Sequence, residues 1–228
     1  MQYENIVPAV FVDRPNRFIA NVLVEGQPRV CHVKNTGRCR ELLVPGCQLY
    51  LQHFPDSPHR ATAYDLIAVE KGRRLINMDS QAPNKVFAQW VAQPGNCPGL
   101  EKIRPEYRWE DSRFDFLLET HRGQVLVEVK GVTLEQDGVV LFPDAPTLRG
   151  VKHLEGLTRW ANQGRESWAV FIIQMADVRY LMPNRATHPE FAQALADASQ
   201  NGVRVLALDC LVEPNRLTAC KNIPVIFE

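Results

Sequence analysis

The sequence predicts an α+β chain in two parts: a small barrel of short strands over residues 1–80, and a mixed α/β sheet with flanking helices over residues 81–228. Two observations predict this. Before about position 80 the chain alternates in short runs separated by turn residues and shows no long helical period. After Asp79 helical patterns alternate with buried strands, as in a sheet with helices packed on it.

In the first part, residues 18–24 and 28–33 read as hairpin partners across Glu25-Gly26-Gln27. Residues 47–54 and 62–70 alternate again, and a turn follows at Lys71-Gly72. About five short strands at this spacing suggest a partly closed barrel of the oligonucleotide-binding (OB) type. An open meander gives the same pattern.

In the second part, residues 84–92 carry a helical spacing of apolar side chains, with Pro83 suited to the helix start. A loop rich in proline and glycine, around Pro94-Gly95 and Pro98-Gly99, leads to two runs at 113–119 and 124–130. Residues 138–142 form a short strand. A helix opens at Pro146 and runs to about Asn162, with Leu148, Val151, Leu154 and Leu157 available to pack and Gly164 placed to end it. Residues 168–174 read as a buried strand, 188–200 as an amphipathic helix stopped near Gly202, and 203–208 as another strand. Trp90, Trp109, Trp160 and Trp168 read as core residues rather than base-stacking platforms.

A chain of 228 residues with 45% hydrophobic content can bury a sizeable core. Lysine plus arginine equals aspartate plus glutamate at 26 each, so a nucleic-acid partner has to be met by a local basic patch. No apolar run has membrane-spanning length, and Met1-Gln-Tyr-Glu-Asn lacks the basic start and apolar stretch of a signal peptide, so a cytoplasmic protein without a membrane partner is expected. Six cysteines contain no Cys-x-x-Cys pair, and reduced thiols are the default reading. The oligomeric state is not legible.

The chemistry concentrates at 113–130. The turn His121-Arg122-Gly123 lets the two runs pair antiparallel, bringing Asp115 near Glu128. Glu128 and Lys130 share a strand face because side chains alternate, as Val125, Val127 and Val129 share the other. Two carboxylates suit a hard cation such as Mg²⁺, which lowers the pKa of a bound water, and a lysine beside it can orient that water or stabilise an anionic transition state. A surface Glu–Lys pair in an ordinary hairpin gives the same spacing.

Five segments in order resemble the sugar fermentation stimulation protein A family: residues 32–38 with 41–46, 79–84, 112–116, 128–134 and 142–154. The similarity covers nearly the whole chain. It implies an N-terminal OB-type barrel and a C-terminal domain like restriction endonucleases of the PD-(D/E)-x-K type. It also implies DNA binding with little sequence preference and a regulatory role in sugar metabolism. Carried onto this sequence, Asp115 is the first acid, Glu128 and Lys130 are the E-x-K pair, and the Val129 carbonyl joins Asp115 and Glu128 around Mg²⁺ or Mn²⁺. Phe114 stands where the name-giving motif has proline.

Two basic groups are candidate nucleic-acid contacts. Lys34, Arg38 and Arg40 lie in a run from 27 to 40 without acidic residues, interrupted by the turn residues Asn35-Thr36-Gly37. Arg149, Lys152 and His153 fall three or four apart on one face of the predicted helix, opposite its apolar face. Arg113 shares a strand face with Asp115 and is a candidate phosphate or carboxylate partner, while Glu106, Glu110 and Asn84 are candidate additions to the metal site. The leading function is a DNA-binding protein with a metal-dependent nuclease site. The alternative is a regulator that keeps the nuclease-like fold and does not cut.

Overall fold

The computed structural model describes residues 1–35, 37, 39–55 and 59–227. Strands β1 (Ile6–Asn16), β2 (Ile19–Val24), β3 (Gln27–His32), β4 (Gln48–His53), β5 (Tyr64–Lys71) and β6 (Arg74–Asn77) form a sheet in the order β3-β2-β1-β4-β5-β6. β3 also pairs with β5, which closes five strands into a barrel and removes the open-meander alternative. The β2–β3 hairpin turns through Glu25 and Gly26, both at positive φ (50° and 74°), as the tightest hairpin turn demands. Ala20, Val22, Leu49 and Leu51 fill the interior from alternating positions.

β1 escapes the sequence reading. It carries Pro8, which has no N–H to give a ladder, but Pro8 lies where β1 has β4 as its registered neighbour and β2 has not yet joined.

The second part contains α1 (Ala82–Val91), β7 (Leu100–Trp109), β8 (Ser112–Thr120), β9 (Gly123–Val132), β10 (Glu135–Gln136), β11 (Val139–Phe142), α2 (Leu148–Ala161), β12 (Glu166–Ile173), β13 (Tyr180–Pro183), α3 (Pro189–Gln200), β14 (Arg204–Glu213) and β15 (Arg216–Asn222). Six strands form a mixed sheet in the order β15-β14-β12-β9-β8-β7. β9, β12 and β14 run parallel, while β7, β8 and β9 make an antiparallel meander. β10, β11 and β13 form a small separate sheet. α1 covers one face, packing Val86 and Phe87 with Val125, Val127 and Val129. α2 covers the other, packing Leu154, Leu157 and Trp160 with Leu126, Phe114 and Leu117.

Helix α2 starts two residues later than the sequence predicts. Thr147 caps it, its Oγ1 accepting from Gly150 N at 3.0 Å. Leu148 does not pack and is 80% exposed. It lies about two and a half turns from Leu157 and so projects from the opposite side.

A polar network ties the two parts together. Asn77 N donates to Gln174 O at 2.9 Å, and Gln174 Nε2 donates back to Asn77 O, Asn77 Oδ1 and Asp79 O at 2.8–3.1 Å. Lys34 Nζ bridges Asp65 (3.3 Å) and Asp79 (3.1 Å). Glu135, from β10, accepts from Lys71 and Arg74 of the barrel at 2.8 and 2.9 Å. The buried carboxylates of Asp65, Asp79 and Glu135 and the Gln174 amide nitrogen are thereby paired, as burial requires.

At Gly156 a Cβ atom would stand 2.7 Å from Phe114 Cζ. Gly156→Ala is therefore expected to cost about 1–3 kcal/mol through overpacking, measured as a lower urea midpoint with an unchanged slope.

Candidate active site

The site forms where the meander opens. β8 pairs with β9 from Phe116 to Thr120 and stays with β7 from Ser112 onward. β9 continues beside β12 as far as Val132. The two strands therefore part at Asp115 and Glu128 and leave a fork. Side-chain alternation also breaks there: Phe114 packs against His153 of α2, and Phe116 against Phe87 of α1, although they are two residues apart.

Asp115 fills the fork. Its Oδ2 accepts from Val129 N at 2.8 Å, and its Oδ1 accepts from Asn84 Nδ2 at 2.8 Å. The carboxylate thus satisfies a main-chain donor that β8 no longer serves. Burial, and then the charge of Glu128, push the Asp115 carboxyl above its ordinary range. The Val129 N–H, Asn84 and Lys130 pull the other way without overcoming this.

Glu128 is 5% exposed. Its Oε1 receives both Lys130 Nζ and His153 Nδ1 in very short contacts. Burial pushes its carboxyl up, but the His153 hydrogen bond and the Lys130 charge outweigh that and hold it below the ordinary value. Glu128 Oε2 is buried and has no hydrogen-bond partner among the described residues. Arg149 Nε approaches His153 Nε2 at a long 3.5 Å. Arginine can only donate, so that contact leaves the imidazole proton on Nδ1, directed at Glu128.

The structure joins Asp115, Glu128 and Lys130, as the spacing predicts, and of the further candidates it brings in Asn84 and His153. His153 departs from the expected face opposite the apolar one: it is 4% exposed and turned to the sheet. Gly150, His153, Leu157 and Trp160 share one helical side, and that spacing is the signal that could have found it. Val129 offers its N–H to Asp115, and its side chain joins the core under α1.

Other expected contacts lie elsewhere. Glu106 pairs with Arg113 at 3.0 Å, and Glu110 with Arg159 at 3.0 Å, so neither acid enters the fork and Arg113 does not reach Asp115. Lys34 spends its charge on Asp65 and Asp79 rather than on an exposed loop. Lys152 is exposed and pairs with Asp111 at 2.9 Å, while Arg149 and Arg40 are exposed. Arg38 lies outside the described residues. Among the described residues no three His, Cys, Asp or Glu side chains converge to hold a metal by themselves, so main-chain oxygen or water has to complete any coordination shell.

Residues 81–216 match the family described as "Sugar fermentation stimulation protein RE domain", and residues 12–78 match "SfsA N-terminal OB domain". A "Sugar fermentation stimulation protein homolog" of Desulfitobacterium hafniense (strain Y51) is 54% identical over 219 residues, covering 96% of this chain and 95% of that protein. A protein of the same description from Ruminiclostridium cellulolyticum is 48% identical over 225 residues, covering 99% of each. Among solved structures, "The structure of Pyrococcus Furiosus SfsA in complex with Ca2+" aligns with a TM-score of 0.88 at 27% identity, covering 99% of this chain and 98% of that one.

Asp115 yields a pH prediction. Its folded carboxyl holds a proton more tightly than the unfolded chain does, so its contribution to stability falls as pH rises through the raised value. Once ionised, the group is a standing cost. Asp115→Asn, with the Asn84 amide turned to face it, should melt a few degrees above the parent at pH 7, at about 2–4 °C per kcal/mol. Thermal melts at pH 4 and pH 7 check this, and the gap should narrow in acid.

Proposed function

Because the chain belongs to the sugar fermentation stimulation protein family, we propose that it binds DNA with little sequence preference and hydrolyses phosphodiester bonds at the Asp115–Glu128–Lys130 fork with Mg²⁺ or Mn²⁺. A regulatory role in sugar metabolism, which the family name suggests, would act through that DNA binding. The observation that carries the reading is Glu128, a buried carboxylate with one oxygen held by Lys130 and His153 and the other without a partner among the described residues.

A divalent cation fits this donor set. Asp115 and Glu128 supply hard oxygens, and the carbonyl of Val129 is the further donor the family resemblance implies. Among the described residues each Asp115 oxygen accepts a single hydrogen bond and keeps a lone pair. The Pyrococcus furiosus relative is a complex with Ca²⁺; that ion belongs to that protein and agrees with an oxygen-rich site. When bound, such an ion supplies an activated water and neutralises charge on the phosphate.

The chain's own groups do the rest. Val129 N–H and Asn84 orient Asp115, and His153 fixes the rotation of Glu128. Lys130, partly exposed beside Glu128, is placed to donate to a phosphate oxygen as negative charge grows there. Arg149 and Arg40 supply exposed cations for neighbouring phosphates and carry no base information.

Incubation with Mg²⁺ or Mn²⁺ and single- or double-stranded DNA and RNA tests the proposal. Cleavage should fall by about 100-fold or more in Glu128→Ala and Lys130→Ala; cleavage at the parental rate in either variant sinks the assignment. No cutting with any metal, but salt-sensitive binding, leaves the non-catalytic regulator. Calorimetry provides an independent readout: Mn²⁺ affinity should drop about 10–100-fold in His153→Ala. In the Arg40→Ala/Arg149→Ala double variant, the slope of log affinity against log salt should flatten by about 2.

A further inference from the structure

Beyond Lys130, strand β9 runs into a crevice between the barrel and the second domain. It has a volume of about 120 Å³ and is lined by Asn35 and Ser80 on the barrel side and its connection, and by Gly131, Thr133, Asp144 and Gln174 on the other. Leu134, Leu141 and Phe142 add apolar wall. The space equals that of about four water molecules.

Several polar groups on this wall are unspent. Gln174 is 2% exposed, and its Nε2 makes three hydrogen bonds while its Oε1 makes none among the described residues. Thr133 is buried, with no partner for its hydroxyl among the described residues. Asn35 accepts from Gly37 N through Oδ1, which leaves its Nδ2 free to donate. The Asp144 carboxylate is exposed and has no ion-pair partner among the described residues. Gly131 keeps the Gln174 oxygen accessible, since a Cβ there would lie 2.7 Å from Oε1.

We propose that this crevice receives one unpaired pyrimidine-sized base of a DNA strand whose phosphate lies at the Asp115–Glu128 fork. Acceptors on Gln174 and Asp144 suit ring N–H and exocyclic amine donors, while Asn35 and Thr133 supply the donors a base carbonyl needs. The apolar side from Leu134 to Phe142 suits the faces of a ring and has no use for a hydrated ion. Thr133 lies about 10 Å along the β9 direction from Lys130, roughly one to two nucleotides of backbone. A base reaches such a pocket only when it is out of the stack, so duplex with an unpaired position is preferred to perfect duplex.

The inference rests on the DNA-binding reading, and the test separates the two. Binding by fluorescence anisotropy in Ca²⁺ is compared for a perfect duplex, the same duplex with a single bulged cytosine, and one with an abasic site at the bulge. The parent should bind the cytosine bulge about 10-fold tighter than the other two, the factor that ~1.4 kcal/mol provides. Thr133→Val and Asp144→Asn, with unchanged melting temperatures, should erase that preference and leave perfect-duplex affinity intact. Equal affinity for all three DNAs overturns the pocket while leaving DNA binding in place. Loss of perfect-duplex affinity in both variants overturns it as well, by making the crevice part of the general surface. Weakened Mn²⁺ binding in both variants reassigns it to a cation. No binding to any DNA removes both readings.

Discussion

The hydrogen bond from Val129 N to Asp115 Oδ2 is the constraint on which the site depends. Two antiparallel strands that separate leave ladder donors unsatisfied, and a buried orphan N–H costs on the order of 1–3 kcal/mol. Here the orphan is met by the acid of the departing strand. Separating the strands and positioning Asp115 beside Glu128 are therefore a single event. The break in alternation between Phe114 and Phe116 belongs to the same event, because it sends one ring beneath α2 and the other beneath α1.

The two carboxylates are driven apart electrostatically by their neighbours. Glu128 has Lys130 and His153, and its ionised form is stabilised despite burial. Asp115 has neutral donors and a negative neighbour, and its ionised form is disfavoured. The fork thus holds one settled charge and one strained charge. A cation bound at the fork would relieve the strain, so the same groups that weaken the fold suit the proposed ligand.

Much of this was legible in the sequence because it is local. The 113–130 hairpin, the E-x-K face, barrel strands β2 to β5 and the three helices follow from alternation, turn residues and caps within short windows. What escaped depends on tertiary context. β1 and β7 carry Pro8 and Pro105, which argue against strands until one sees that the first has a single registered neighbour there and the second is a sheet edge. His153 reads as one member of a basic face, but only the sheet decides which side of α2 is covered. Lys34 reads as a free loop cation, yet Asp65 and Asp79 lie 31 and 45 residues away in sequence and claim it.

The Asn77–Gln174–Asp79 network has a consequence for how such a chain can be divided. The two family matches end at 78 and begin at 81, which invites a cut between them. Severing the chain there would leave Gln174, three of whose hydrogen bonds reach back to Asn77 and Asp79, without partners on a newly wetted surface. It would also strand Asp79 from Lys34 at the start of the helix that carries Asn84 to Asp115. The border between modules in sequence is therefore a seam in space. Grafting either half onto another scaffold would disturb the other half's chemistry before it disturbed its fold.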